Sequence, residues 1–169
     1  FVMNKPATQT IASATLSFPA MNFTCVQNIR TLMVSNNNVQ IKMNASGGQQ
    51  MRANVNKLVG SASLIQSVSG GETNIGIMAV RDVSAFTGSL SLRMANLELY
   101  KNNGVQPLLR GVAIEQPSMI TIPEADTTAT ISSMMITNTF SKQGPGSLEI
   151  AIYDAKSNAQ VSVDAGTLH

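Results

Sequence analysis

The sequence predicts an all-β fold, mainly an antiparallel sandwich or barrel, with one accessory α-helix near residues 48–68. Three observations carry that prediction. Apolar and polar residues alternate through most of the chain, turn residues fall at short intervals between the alternating runs, and one stretch abandons alternation for a helical spacing. Alternation gives a strand one buried and one wet face. Antiparallel sheets show that pattern, whereas parallel sheets covered on both faces read as continuous apolar runs. The 169 residues make a single β domain, 1–169, long enough to bury a core without staples.

The elements follow in chain order. Residues 1–20 open with Phe1, Val2 and Met3, and Pro6 resists a helix. This segment reads as an extended N-terminal arm or an edge strand; as an arm it would add a strand to a neighbour's sheet. After the turn signal SNNN at 35–38, NVQIKM places Val39, Ile41 and Met43 on one face. Between two Ser-Gly-Gly fences, Met51, Val55, Leu58, Val59, Ala62 and Ile65 take the three- and four-residue spacing of an amphipathic helix, with Arg52, Asn56, Lys57 and Ser63 largely opposite. Gly60 weakens that helix, so it needs a β surface to lie on.

TNIGIMAV then offers Ile75, Ile77 and Ala79 to the core. In SLSLRMANLELYK the phase slips: Leu90, Leu92 and Met94 are even, Leu97 and Leu99 odd. Either a β-bulge near Ala95 and Asn96 restores the facing, or the run serves two sheets. Asn103–Gly104 suits a tight hairpin. Pro107 and Pro117 bracket LLRGVAIEQ and mark strand ends. IPEADTTAT at 122–130 reads as a loop, and KQGPG at 142–146 is a further turn. Leu148, Ile150 and Ile152, then Val161 and Val163, supply the last two core faces.

Chemistry-bearing residues are sparse, and no catalytic, cofactor-binding or metal-ligating set is assigned. The lone histidine, His169, is the last residue, and Cys25 is the only cysteine. Zinc sites and Cys–His nucleophiles need more than that. Glu124 and Asp126 sit close together, and Asp154 and Asp164 flank the final turn, but solvated turns account for them better than acid–base or calcium chemistry. SGGQQ lacks the Lys-Ser/Thr of a phosphate loop. The sequons at Asn22 and Asn44 matter only in a eukaryotic secretory context.

Charge is more informative. Charged residues make up 12% of the chain, about half the usual share, which leans towards a surface covered by partners. Residues 1–71 contain five basic residues and no acidic one, whereas six basic and nine acidic residues follow from Glu72. Kept apart in space, the two halves would favour head-to-tail contacts. A nucleic-acid surface needs denser charge and more aromatics. No apolar run reaches the ~20 residues of a membrane helix. Phe1 suits a processed product or part of a longer sequence, and 1–21 lacks the basic start and apolar stretch of a signal peptide.

The expectation is therefore a non-enzymatic structural subunit of a large homo-oligomer. A virion protein (phage tail tube, capsid or decoration) stands first, with copies of itself and other particle proteins as partners. A subunit of an extracellular filament or pilus at the cell surface is the alternative, and a carbohydrate- or ligand-binding β-sandwich is a third. Against the third stands the absence of Trp, with two Tyr and five Phe.

Overall fold

The computed structural model describes residues 25–35, 39–44, 50–69 and 75–169, together with the backbone of three short strands, β1 (Asn4–Lys5), β2 (Gln9–Ile11) and β3 (Thr15–Phe18). The later strands are β4 (Cys25–Val34), β5 (Val39–Asn44), β6 (Gln50–Gly60), β7 (Leu64–Ser69), β8 (Ile75–Phe86), β9 (Ser89–Arg93), β10 (Asn96–Leu99), β11 (Leu108–Ile114), β12 (Ser118–Thr121), β13 (Thr128–Ile136), β14 (Thr139–Gln143), β15 (Ser147–Ile150), β16 (Tyr153–Ala155), β17 (Gln160–Val163) and β18 (Thr167–Leu168). Among the described residues there is no helix.

The strands belong to two sheets that the chain visits in turn. The first runs β1-β4-β6-β8-β10-β12-β14-β17, with β2 also on β4; the second runs β3-β5-β7-β9-β11-β13-β15-β18, with β16 also on β13. Every strand pair is parallel; Ile29, for example, stands beside Val55, Val55 beside Val80, and Val80 beside Leu99. The chain winds as a β-solenoid of about six turns. Its rungs shorten along the chain: Ile29→Val55→Val80 are steps of 26 and 25 residues, whereas Leu92→Ile114→Ile136 are steps of 22.

The antiparallel sandwich or barrel is thus overturned. Alternation suggested it because parallel sheets usually have helices on their outer faces. Here each crossover is a strand of the opposite sheet, so each strand keeps one face on the shared core, and most turn the other towards water; β10, and β8 at Ile77 and Ala79, are covered on the outer side too.

The accessory helix at 48–68 is overturned as well. Its described residues form β6 and β7. In β6, Met51, Ala53 and Val55 point inward at period two, and a register shift between Lys57 and Val59 brings Leu58 inward in their place. An alternating strand with one bulge puts apolar residues four and three apart, the spacing of a helix. Gly60 makes the corner with φ +116°, and a Cβ there would collide with the Val34 carbonyl.

Two further expectations change, and for the run 89–101 the reading that it serves two sheets holds. In β8 the inward residues are Met78 and Val80, in line with Leu97 and Leu99; Ile77 and Ala79 face out and are buried there. The phase slip after Leu92 is a corner at Met94 (φ +54°) where the chain leaves the second sheet for the first. Asn103 and Gly104 both have positive φ inside a one-bridge turn between Asn102 and Val105, but that turn links strands of different sheets rather than a hairpin. Of residues 1–20, β1–β3 line the sheet edges of their own chain, and the rest lies outside the described residues.

Register stacks like on like. Ala53, Met78, Leu97, Ile120, Lys142 and Val163 form one inward column of the first sheet. Ile41, Gln66, Leu92, Ile114 and Ile136 form one in the second. Rungs ~4.8 Å apart bring such side chains into continuous contact. Two members are polar and fully buried. Gln66 donates to the carbonyls of Gly76 (3.2 Å) and Asn96 (2.9 Å). The Lys142 ammonium donates to those of Gly144, Gly146 and Ala165, and burial holds its pKa below the ordinary lysine value.

The final rung is open. Val161 and Val163 continue the columns of Phe140 and Lys142, yet they are 41% and 47% exposed, because the strand opposite is only Thr167–Leu168. Ile152 and Tyr153, before and in β16, are exposed as well.

Candidate binding recess on the outer face of the first sheet

Across β4, β6, β8 and β10 the outward residues fall into two adjacent rows. Asn28, Asn54, Ala79 and Glu98 stand side by side in register. Two residues further along each strand, alternation places Arg30, Asn56, Arg81 and Tyr100 in the second row. Between them lies an open recess of about 780 Å³, lined chiefly by Asn28, Arg30, Arg52, Asn54, Arg81 and Tyr100.

A tight polar cluster forms one side. The Arg52 guanidinium makes a forked pair with Glu98 (3.0 and 2.5 Å), and its Nε donates to Asn54 Oδ1 (2.8 Å). Glu98 also accepts the Tyr100 hydroxyl at 2.8 Å, and Asn54 Nδ2 donates to Asn28 Oδ1 at 2.9 Å. Arg52 spans from β6 to β10 because the residue between Asn54 and Glu98 is Ala79, whose small side chain leaves room. The hydrogen bond with Glu98 holds the Arg52 proton more tightly than usual. Burial, then the neighbouring Glu98, raises the pKa of Tyr100, which stays neutral into the alkaline range.

The other cations differ. Among the described residues, no carboxylate pairs with Arg30 or Arg81. Both are exposed, and the Arg81 guanidinium lies 4.9 Å over the Tyr100 ring. With Arg52 neutralised by Glu98, the recess carries two uncompensated guanidinium groups above a fixed polar floor.

The residues singled out from sequence lie elsewhere and do not converge. Glu124 accepts from Thr127, and Asp126 pairs with Lys101. Asp154 pairs with Lys156, and Asp164 accepts from Ser141 and Gln143. His169 is exposed, with its backbone bonded to Leu148 and Ile150. Cys25 opens β4; of SGGQQ, only Gln50 is described, and it begins β6 rather than a helix. Among the described residues, no three His, Cys, Asp or Glu side chains gather at metal-binding distance. Sequence reasoning missed the recess. Its trace is a spaced tripeptide of polar, aliphatic and polar residues: Asn28-Ile29-Arg30, Asn54-Val55-Asn56, Ala79-Val80-Arg81 with Ala in the first place, and Glu98-Leu99-Tyr100.

No protein-family model, curated protein or solved structure matches the chain.

Proposed function

We propose that the protein is a non-enzymatic structural subunit that stacks end to end with copies of itself, first as part of a virion (tail, capsid or decoration) and second as part of an extracellular filament. The in-register stacking of parallel coils along one axis is the observation that supports this reading. Coils built this way interact mainly with their neighbours, so the same ladder lengthens by repetition.

Charge favours a copy of the same chain as the partner. In a solenoid, sequence order is axial order, so the described part of the acid-free stretch lies towards one side of the axis, where Arg30 and Lys42 have no carboxylate partner among the described residues, and the acid-rich remainder lies towards the other. Around the open rung stand Glu149, Asp154 and Asp164 against Lys156. A basic end meeting an acidic end is a head-to-tail contact, which yields rods, or rings where the rotation closes. Sedimentation and electron microscopy over a concentration series test the reading. Elongation with concentration is expected, and Val161→Lys, which places a cation on the acidic end, should keep the particles short. A monomer at every concentration overturns it. Genes adjoining the coding sequence separate a virion role from a filament role.

A further inference from the structure

End-to-end stacking leaves the lateral recess of the first sheet unused. We propose that this recess binds a carboxylate-bearing oligosaccharide, with Arg30 and Arg81 pairing with sugar carboxylates and the amides of Asn28, Asn54 and Asn56 meeting sugar hydroxyls. The argument begins with the two arginines. They sit on β4 and β8 with β6 between, about 10 Å apart at two strand spacings, and neither has a carboxylate partner among the described residues. A guanidinium fork matches a carboxylate with two parallel hydrogen bonds. Their separation suits one extended ligand bearing two anionic groups better than a single small anion.

The rest of the recess narrows the ligand class. An amide offers donors and an acceptor together, which is what a hydroxyl needs, and three such side chains line this surface. The floor does not compete for the ligand's charge, because Arg52 and Glu98 satisfy one another. All the lining groups stand on strands except Tyr100, which directly follows β10, so the site is held in shape before the ligand arrives. A nucleic-acid strand fits less well. Among the described residues Tyr100 is the one aromatic in the recess, and Arg81 already covers a face of its ring, so successive bases find no stacking platform there.

Titration calorimetry of the whole chain with trigalacturonate tests the proposal. The trimer should bind, its methyl ester should bind at least about tenfold more weakly, and Arg30→Ala and Arg81→Ala should each weaken binding by about tenfold or more. Arg81→Lys, which keeps the charge but loses the fork, should fall between. Arg110→Ala, an exposed position on β11 of the other sheet, should change nothing, and unchanged circular dichroism melting shows that each variant is folded. No binding of the trimer at millimolar concentration overturns the proposal. So does equal binding of its methyl ester, indifference to both arginines, or tighter binding of oligothymidylate, which would make the recess a phosphate-polymer site. Stacking can fail while this binding stands, because the two use different faces.

Discussion

Single residues in this molecule are set by what stands one rung above and below them. Arg52 sits on what sequence alone makes the wet side of a helix, where truncation would cost little. In the solenoid its guanidinium neutralises Glu98, whose side chain is only 11% exposed. Arg52→Ala is therefore expected to destabilise by roughly 1.5–3 kcal/mol, the usual worth of hydrogen bonds to charged groups, as measured by urea denaturation. Gly60 and Gly111 make a second contrast. At Gly60 a side chain meets the Val34 carbonyl and a φ of +116°, whereas at Gly111 the nearest atom, Ser89 Cβ, is 3.8 Å from a new Cβ. Gly60→Ala should cost about 1–3 kcal/mol, and Gly111→Ala close to nothing. Asp82 gives the pH dependence. Hydrogen bonds from Ser84, with Lys57 adding, hold its pKa below the ordinary 3.8 although burial opposes them. The unfolded chain then binds more protons between the two values. That stabilisation is present above pH 3.8 and is lost as pH falls through the folded value. Asp82→Asn should weaken the protein at neutral pH, and its deficit against wild type should vanish in acid denaturation below that window.

At the scale of elements, the strands were legible and their partners were not. Val39, Ile41 and Met43 announce β5 by alternation, and all three are buried. Alternation reports one dry face and one wet face, and it is silent on strand direction. β6 was misread because its bulge imitates helical spacing. β8 was read with the wrong face inward because Ile77 and Ala79 are apolar on the outer side too. The recess was not legible because its residues come from four strands whose spacing drifts: Asn28, Asn54, Ala79 and Glu98 are 26, 25 and 19 residues apart. Without a fixed period the repeat escapes notice. Parallel register is directly testable. Asn28 stands opposite Asn54, and adjacent strands place Cα atoms within disulfide reach. The double variant Asn28→Cys/Asn54→Cys should cross-link rapidly under oxidation, whereas Asn28→Cys/Lys57→Cys should not. The reverse result would contradict the register. Leu58→Ala, in the bulge and 1% exposed, should cost about 2–5 kcal/mol.

For the whole molecule, stacking in one dimension means that each rung is held mainly by its two neighbours. Hydrogen exchange should therefore be slowest for the amides of β8 to β13 and quickest in β17 and β18, whose residues are mostly exposed. Uniform protection along the chain would show a single cooperative block instead. The charge arrangement makes a second demand on the intact molecule. If opposite ends attract, light scattering should fall as salt rises, because exposed charges are screened beyond ~8 Å at physiological ionic strength. Scattering that ignores salt would leave the acid-free first 71 residues without a part in assembly.

The parallel ladder also has a mechanical side. Its hydrogen bonds run along the solenoid axis, so a pull between the two chain ends opens them a few at a time rather than shearing a whole sheet. The thinly held last rung should yield first, and each later coil of about 22 residues would release roughly 75 Å of contour length. Stretched in an optical trap, the protein should extend in a train of small, regular steps at low force. A coil of that kind would lengthen under load and rewind when the load is removed.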